Sequence, residues 1–330
     1  MLKIIEENDS LKIFINNTLI LNHTYQNPAV FLGMGNETIK MKKGNFEIHD
    51  SLEEKIPLRN YEILDSNQIR FYSNDYFSMK VKIDTEKDFF YFKFEKKDLN
   101  RFWIKLYGEE EEGIFGLGEQ YSELNMKGKK VPLWVSEQGV GRNKKELLTF
   151  FADKIDNAGG DWYTTYYPQP TYVSSRRYSC IVEGFSYMEF DFSKKDNEIF
   201  SFEIPEKIIF CTGKTLKTVL KNQSVLLGKQ PVLPEWTGGG ITLGLQGGTE
   251  VVLPKLKAAQ SKGLKVNAIW IQDWSGKKIT DFGKQVFWNW RYSEEMYPNL
   301  PQTIKDLKDE GIRVMGYINP FLIPEGDIYQ

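Results

Sequence analysis

Cysteine is scarce in this sequence, with only Cys180 and Cys211 in 330 residues. Two thiols cannot make a disulfide framework or a four-thiolate zinc site, and such usage fits a reducing cytoplasm. Histidine is equally rare. His23 and His49 are far apart in sequence, which argues against a metal pair or a serine–histidine couple and for lone surface histidines. No metal and no cofactor is expected. No stretch approaches the roughly 18 apolar residues that a bilayer crossing requires. Residues 1–10 lack the basic and apolar regions of a signal peptide. An excess of one charge is missing too: 43 Lys and Arg against 45 Asp and Glu give a net charge of −2. Neither nucleic acid nor an anionic membrane is therefore expected as a partner.

Aromatic residues are plentiful, with 8 Trp, 17 Tyr and 22 Phe. They serve hydrophobic cores, and they also stack on the faces of sugars. Up to about residue 230 the chain reads as β-rich. Short runs at 11–15, 68–72, 77–83, 89–94, 177–183, 186–192 and 207–212 are rich in β-branched and aromatic residues and are separated by turn residues. That spacing predicts a large β-sandwich over residues 1–233. Only 216–226 in this half suggests a helix.

The pattern changes after the prolines at 231 and 234. A strand at 240–245, a helix at 254–262 with Pro254 in its first turn, and a strand at 265–270 follow. An amphipathic helix at 300–310, with Leu300, Ile304 and Leu307 on one face, precedes a strand at 313–318. Alternating strands and helices open a (β/α) series. Residues 234–330 read either as a small incomplete layer with an exposed apolar sheet edge or, the favoured reading, as the first three units of a (β/α)8 barrel, which needs about 250 residues when complete.

Barrel enzymes bind ligands at the C-terminal ends of their strands. Here those ends carry Gln246, then Gln272 and Asp273, then Asn319, while the excursion after the second strand holds Gln285, Trp288 and Arg291. Amides and a carboxylate match hydroxyl groups as donors and acceptors, and indoles stack on C–H faces. The pattern points to a pocket for a small sugar. The glycines at 113–118 have no following helix, and those at 238–240 precede a strand, so neither is a nucleotide-binding loop.

Longer motifs carry a family resemblance. Gly116–Leu117–Gly118–Glu119–Gln120–Tyr121, Pro132–Leu133–Trp134 and the run from Ser136 to Arg142 resemble the front domain of bacterial sulfoquinovosidases in glycoside hydrolase family 31. The runs at 245–250, 272–276, 288–290 and 317–320 are similar to the opening of their barrel. The resemblance implies a galactose-mutarotase-like β-sandwich before a (β/α)8 barrel and a retaining exo-α-glycosidase acting on a small α-glycoside. Its catalytic Asp pair would lie on later barrel strands, so no catalytic residue is assigned here and residues 1–330 alone are expected to be inactive. Gln246, Gln272 and Trp288 match pocket residues of that branch, Asp273 belongs to the sugar-binding wall, and the loop at Glu137 and Gln138 reaches over the barrel mouth. The arginine that grips the sulfonate falls, in this register, at Gln285. A neutral amide cannot replace charge-assisted bidentate bonds, so a neutral α-glucoside is the expected substrate, unless Lys284 or Arg291 supplies the cation. A non-catalytic carbohydrate-binding protein and a purely structural sandwich are the alternatives.

Overall fold

The computed structural model describes residues 1–42, 45–280, 283–318 and 321–330. The chain forms two compact units, Met1–Lys229 and Gln230–Gln330. The division falls slightly ahead of the break expected after residue 233, so the prolines at 231 and 234 belong to the second unit.

Among the described residues, the first unit contains three antiparallel sheets. One joins Leu2–Glu7, Ser10–Ile15 and Thr18–Thr24. A six-stranded sheet runs in the order Lys130–Leu133, Met188–Asp191, Asn197–Ser201, Arg101–Leu106, Val30–Lys42, Asn45–Pro57. An eight-stranded sheet runs Ile114–Gly118, Pro168–Ser174, Tyr178–Glu183, Lys207–Thr212, Phe89–Phe94, Ser78–Glu86, Gln68–Tyr72, Asn60–Asp65. Strand alternation decides which side chains go inside. In Ser78–Glu86, Met79, Val81 and Ile83 are buried while Lys80 and Lys82 are exposed. All three sheets feed one core, which Leu11 shares with Phe92 and Phe210 from the eight-stranded sheet and Phe102 and Phe190 from the six-stranded one. Each such side chain contributes roughly 1.5–3 kcal/mol by leaving water.

Arg101 is the largest fully buried side chain in the unit. Its guanidinium donates to Asp50 at 2.7 Å and Glu37 at 2.8 Å, and stands 4.1 Å from the Phe202 ring centroid. Those carboxylates come from the two arms of the hairpin Val30–Lys42/Asn45–Pro57, so one buried cation fastens both arms to the next strand.

Two expectations fail in this unit. His23 is not a surface residue but fully buried. Its Nδ1 accepts the Ala29 N–H at 3.1 Å, which leaves Nε2 to donate to the Arg59 carbonyl at 3.0 Å. The imidazole is a neutral bridge between two backbone segments; His49 is exposed as expected. Second, a helix at Leu147–Asp156 was not foreseen. Its inward face is carried by Thr149 and Ala152, whereas Leu147 and Leu148 are exposed. The apolar residues therefore give no period that points to a core.

In the second unit, Ile241–Leu245, Val266–Ile271 and Arg313–Gly316 form a parallel sheet with Val266–Ile271 in the centre. Helices Thr249–Ser261 and Leu300–Asp309 connect successive strands. Val252, Leu256, Leu300 and Leu307 from the helices pack with Ile269 and Ile271 of the central strand. Ile304, expected on the buried face, is 39% exposed. The first helix starts earlier than its sequence suggests, so Pro254 lies in its interior rather than its first turn. Burial of Val252 draws the preceding turn into the helix, at the cost of the one backbone bond that Pro254 cannot donate.

Candidate functional site

The C-terminal ends of the three parallel strands lie side by side. Leu245 pairs with Ile271, and Ile271 pairs with Gly316. The residues that follow, Gln246, Gln272 and Tyr317, are thus delivered to one edge of the sheet. Gln246 is exposed and Gln272 is half-buried. Asn319, the third expected amide, lies outside the described residues.

Asp273 organises this edge. Expected in a sugar-binding wall, it is instead fully buried. Its Oδ2 accepts the Gly247 N–H at 2.9 Å and faces the Lys277 ammonium at 2.9 Å, while Oδ1 accepts the Tyr297 hydroxyl. Burial, reinforced by that bond to the carboxylate, pushes the Tyr297 hydroxyl well above the ordinary phenol value. A carboxylate with three donors is satisfied by protein alone, so it holds the 246–248 turn against the end of the second strand. Gly247 and Gly248 have φ of 116° and 89°, a region that favours glycine. The turn can then run directly into helix Thr249–Ser261, whose first N–H bonds the Met296 carbonyl at 2.8 Å.

The indoles gather around Tyr317. Its N–H donates to the Ile271 carbonyl at 3.3 Å and its carbonyl accepts from Trp274 Nε1 at 2.6 Å. Trp288 meets the Tyr317 ring edge-on at 5.2 Å between centroids, and Trp270 does so at 5.9 Å. Tyr317 therefore joins Trp288 to the strand edge. Neither Tyr317 nor Tyr297 was singled out as a site residue. Tyr297 has no sequence signal, whereas Tyr317 could have been found as the first residue beyond the third strand.

Gln285 sits on the second arm of the hairpin Lys277–Thr280/Gly283–Val286 and is exposed. Its direct cross-strand partner is Lys278, and opposite residues of an antiparallel pair share a face. Lys278 in turn reaches Glu325 at 3.4 Å. Arg291 is engaged by Asp327, which also accepts from Asn289 at 2.7 Å, and Lys284 is exposed.

Glu137 and Gln138 belong to the first unit. Glu137 accepts from the Tyr166 hydroxyl, and Gln138 Oε1 accepts from Arg142 Nη1 at 2.6 Å. The same guanidinium donates to the Thr164 and Trp162 carbonyls at 2.7 and 2.6 Å. Gly139 and Gly141 have φ of 68° and 69°, and a side chain at Gly141 would strike Thr149 Oγ1. The loop is pinned rather than loose.

Against known proteins, the chain is 41% identical to the sulfoquinovosidase of Escherichia coli K12, over 98% of this chain and 49% of that protein. The sulfoquinovosidase of Agrobacterium fabrum is 37% identical, over 97% of this chain and 48% of its own length. A solved family 31 sulfoquinovosidase from E. rectale, in complex with an aza-sugar inhibitor, superposes with a TM-score of 0.91 at 37% identity, covering 99% of this chain and 49% of that one. The chain belongs to glycoside hydrolase family 31, in its sulfoquinovosidase-like branch. It spans about half the length of the curated relatives it matches. No family model matches it.

Proposed function

We propose that this chain is part of a retaining exo-α-glycosidase that hydrolyses small α-glucoside-type substrates. The observation that carries the reading is identity of 37–41% with sulfoquinovosidases over nearly the whole chain. The two large antiparallel sheets around one core support a β-sandwich for the first unit. Three adjacent parallel strands joined by two helices support the opening of a (β/α)8 barrel for the second. Such a glycosidase needs two carboxylates about 5 Å apart, one to attack the anomeric carbon and one to protonate the leaving oxygen. On this reading both stand on later barrel strands, and Gln246, Gln272 and Trp288 bind the sugar at the edge that Asp273 organises. Buried, unpaired thiols at Cys180 and Cys211 are compatible with the cytoplasmic setting we infer.

Gln285 favours a neutral sugar, because sulfonate would lose a charge-assisted bond at that position. A second reading rests on Lys278. Opposite Gln285 on the same hairpin face, its ammonium could meet a sulfonate, which would make the enzyme a true sulfoquinovosidase. The test compares 4-nitrophenyl α-glucoside with the corresponding sulfoquinovoside in a protein extended to the relatives' length. We expect the glucoside to be preferred, and Gln285→Arg to shift preference toward the sulfonated sugar by roughly tenfold or more, the equivalent of one charged hydrogen bond. Sulfoquinovoside turnover equal to or above that of the glucoside, lost in Lys278→Gln, would replace the first reading with the second. The 330-residue chain alone should hydrolyse neither.

A further inference from the structure

Between the central strand Val266–Ile271 and the helix Leu300–Asp309 the chain makes a long excursion that carries Trp288. Beyond the third strand, Arg313–Gly316, residues 323–328 run back onto that excursion and meet it at several places. The Ile323 N–H donates to the Trp288 carbonyl at 2.9 Å. Asp327 accepts from the Asn289 amide at 2.7 Å and pairs with Arg291. The Ile328 N–H donates to Asn289 Oδ1 at 3.3 Å. Glu325 lies 3.4 Å from Lys278 on the excursion's hairpin.

Asn289 is the centre of this clasp. Its amide gives a donor to a carboxylate and an acceptor to a backbone N–H, and the reversed amide would lose both bonds. Gly326 makes room for it. That glycine is buried, and a Cβ there would stand 2.3 Å from Asn289 Oδ1, closer than non-bonded atoms approach. On the other side of Trp288, the Phe287 N–H donates to the Gly276 carbonyl at 2.9 Å. Trp288 is thus held between two backbone ties, one to its own excursion and one to the segment that leaves the third strand. Arg291 and Asp327 are more than half exposed, at 64% and 53%, so their pairing adds little to global stability. What the clasp fixes is local: a ring that stacks on a sugar has to be placed to within about 0.5 Å.

We propose that Asp327, acting through Asn289, is a positioning residue for Trp288 and sets where the indole stands at the strand edge. The proposal rests on the glycosidase reading for its consequence in turnover. The test uses a protein extended to the relatives' length and an aryl α-glucoside. Asp327→Ala and Gly326→Ala should each lower kcat/KM roughly five- to fiftyfold, as a displacement of under about 1 Å does. Asp327→Asn, which keeps an acceptor for the Asn289 amide, should recover most of that loss. In Trp288→Ala, where no ring is left to place, adding Asp327→Ala should cost less than about twofold. The same loss in both backgrounds would make Asp327 merely structural and overturn the proposal. A second readout is independent of activity: fluorine NMR of the same protein labelled with 5-fluorotryptophan, with the Trp288 signal assigned by its loss in Trp288→Phe. Asp327→Ala should shift or broaden that signal and leave the signal of Trp103, in the first unit, in place. An unmoved Trp288 signal overturns the proposal whether or not the protein is a glycosidase. A parent without glycosidase activity whose Trp288 signal still moves would refute the glycosidase reading and leave the positioning of Trp288 supported.

Discussion

Replacing Asp273 should disconnect the strand edge. Asp273→Ala removes the acceptor of the Gly247 N–H and the Tyr297 hydroxyl, and strands the Lys277 ammonium, whose side chain is only 22% exposed. A buried donor without its acceptor costs about 1–3 kcal/mol, and breaking a buried ion pair from one side costs about 3–5 kcal/mol. These penalties overlap, because the three donors share one carboxylate. A loss of roughly 3–5 kcal/mol in the second unit is the expected total. Asp273→Asn keeps the shape and one acceptor oxygen and should cost less, about 1.5–3 kcal/mol, chiefly for the lost charge-assisted bonds. Guanidinium denaturation followed by tryptophan fluorescence would measure both, since Trp274 and Trp288 flank the edge and report its unfolding. If Asp273→Ala costs under about 1 kcal/mol, the network is not what holds the 246–248 turn, and the reasoning fails.

Three further outcomes follow from the first unit. Burial holds the His23 imidazole below its usual value of about 6.5, against the opposing pull of its bond to the Arg59 carbonyl. Below that pH the unfolded chain takes up a proton that the folded chain refuses. The stability linked to His23 is therefore complete above about pH 6.5 and declines as the pH falls, with a slope of at most about 1.4 kcal/mol per unit. His23→Gln should flatten that part of the pH–stability curve, and an unchanged slope would reject the assignment. Arg101→Met leaves Asp50 and Glu37 facing a side chain without charge; it should destabilise by about 3–5 kcal/mol and loosen the long hairpin, seen as faster amide exchange at 30–57. Gly141→Ala strains a left-handed backbone and meets Thr149 Oγ1, so a loss of about 1–3 kcal/mol in thermal unfolding is expected, and Thr149→Ala should relieve only the collision.

How much of this the sequence discloses varies with the kind of residue. The parallel strands were legible because Gly-flanked apolar runs such as 240–245 leave few options, and the helices between them because their ends carry glycine. The Leu147–Asp156 helix was not, because Thr149 and Ala152 face inward while its large apolar residues face out. Asp273 stands out in the sequence by its place at a strand end. Its burial depends on Tyr297 and Lys277, which reach it from outside the strand. The burial of His23 is hidden in the sequence for a similar reason: its partners at Ala29 and Arg59 are backbone groups, which no side-chain pattern reveals. That Gln246 and Gln272 follow neighbouring strand ends is legible, because a parallel register brings consecutive ends together.

The edge carrying Gln246, Gln272 and Trp288 is proposed to serve a retaining α-glycosidase. Proton NMR of the first sugar released from an aryl α-glucoside, by a protein carrying this chain at its relatives' full length, addresses it directly. The expected initial product is the α-anomer, with turnover falling by at least tenfold in Gln272→Ala, on the order of one bond to the sugar strengthened in the transition state. An initial β-anomer, or a Gln272→Ala enzyme as active as the parent, would contradict it.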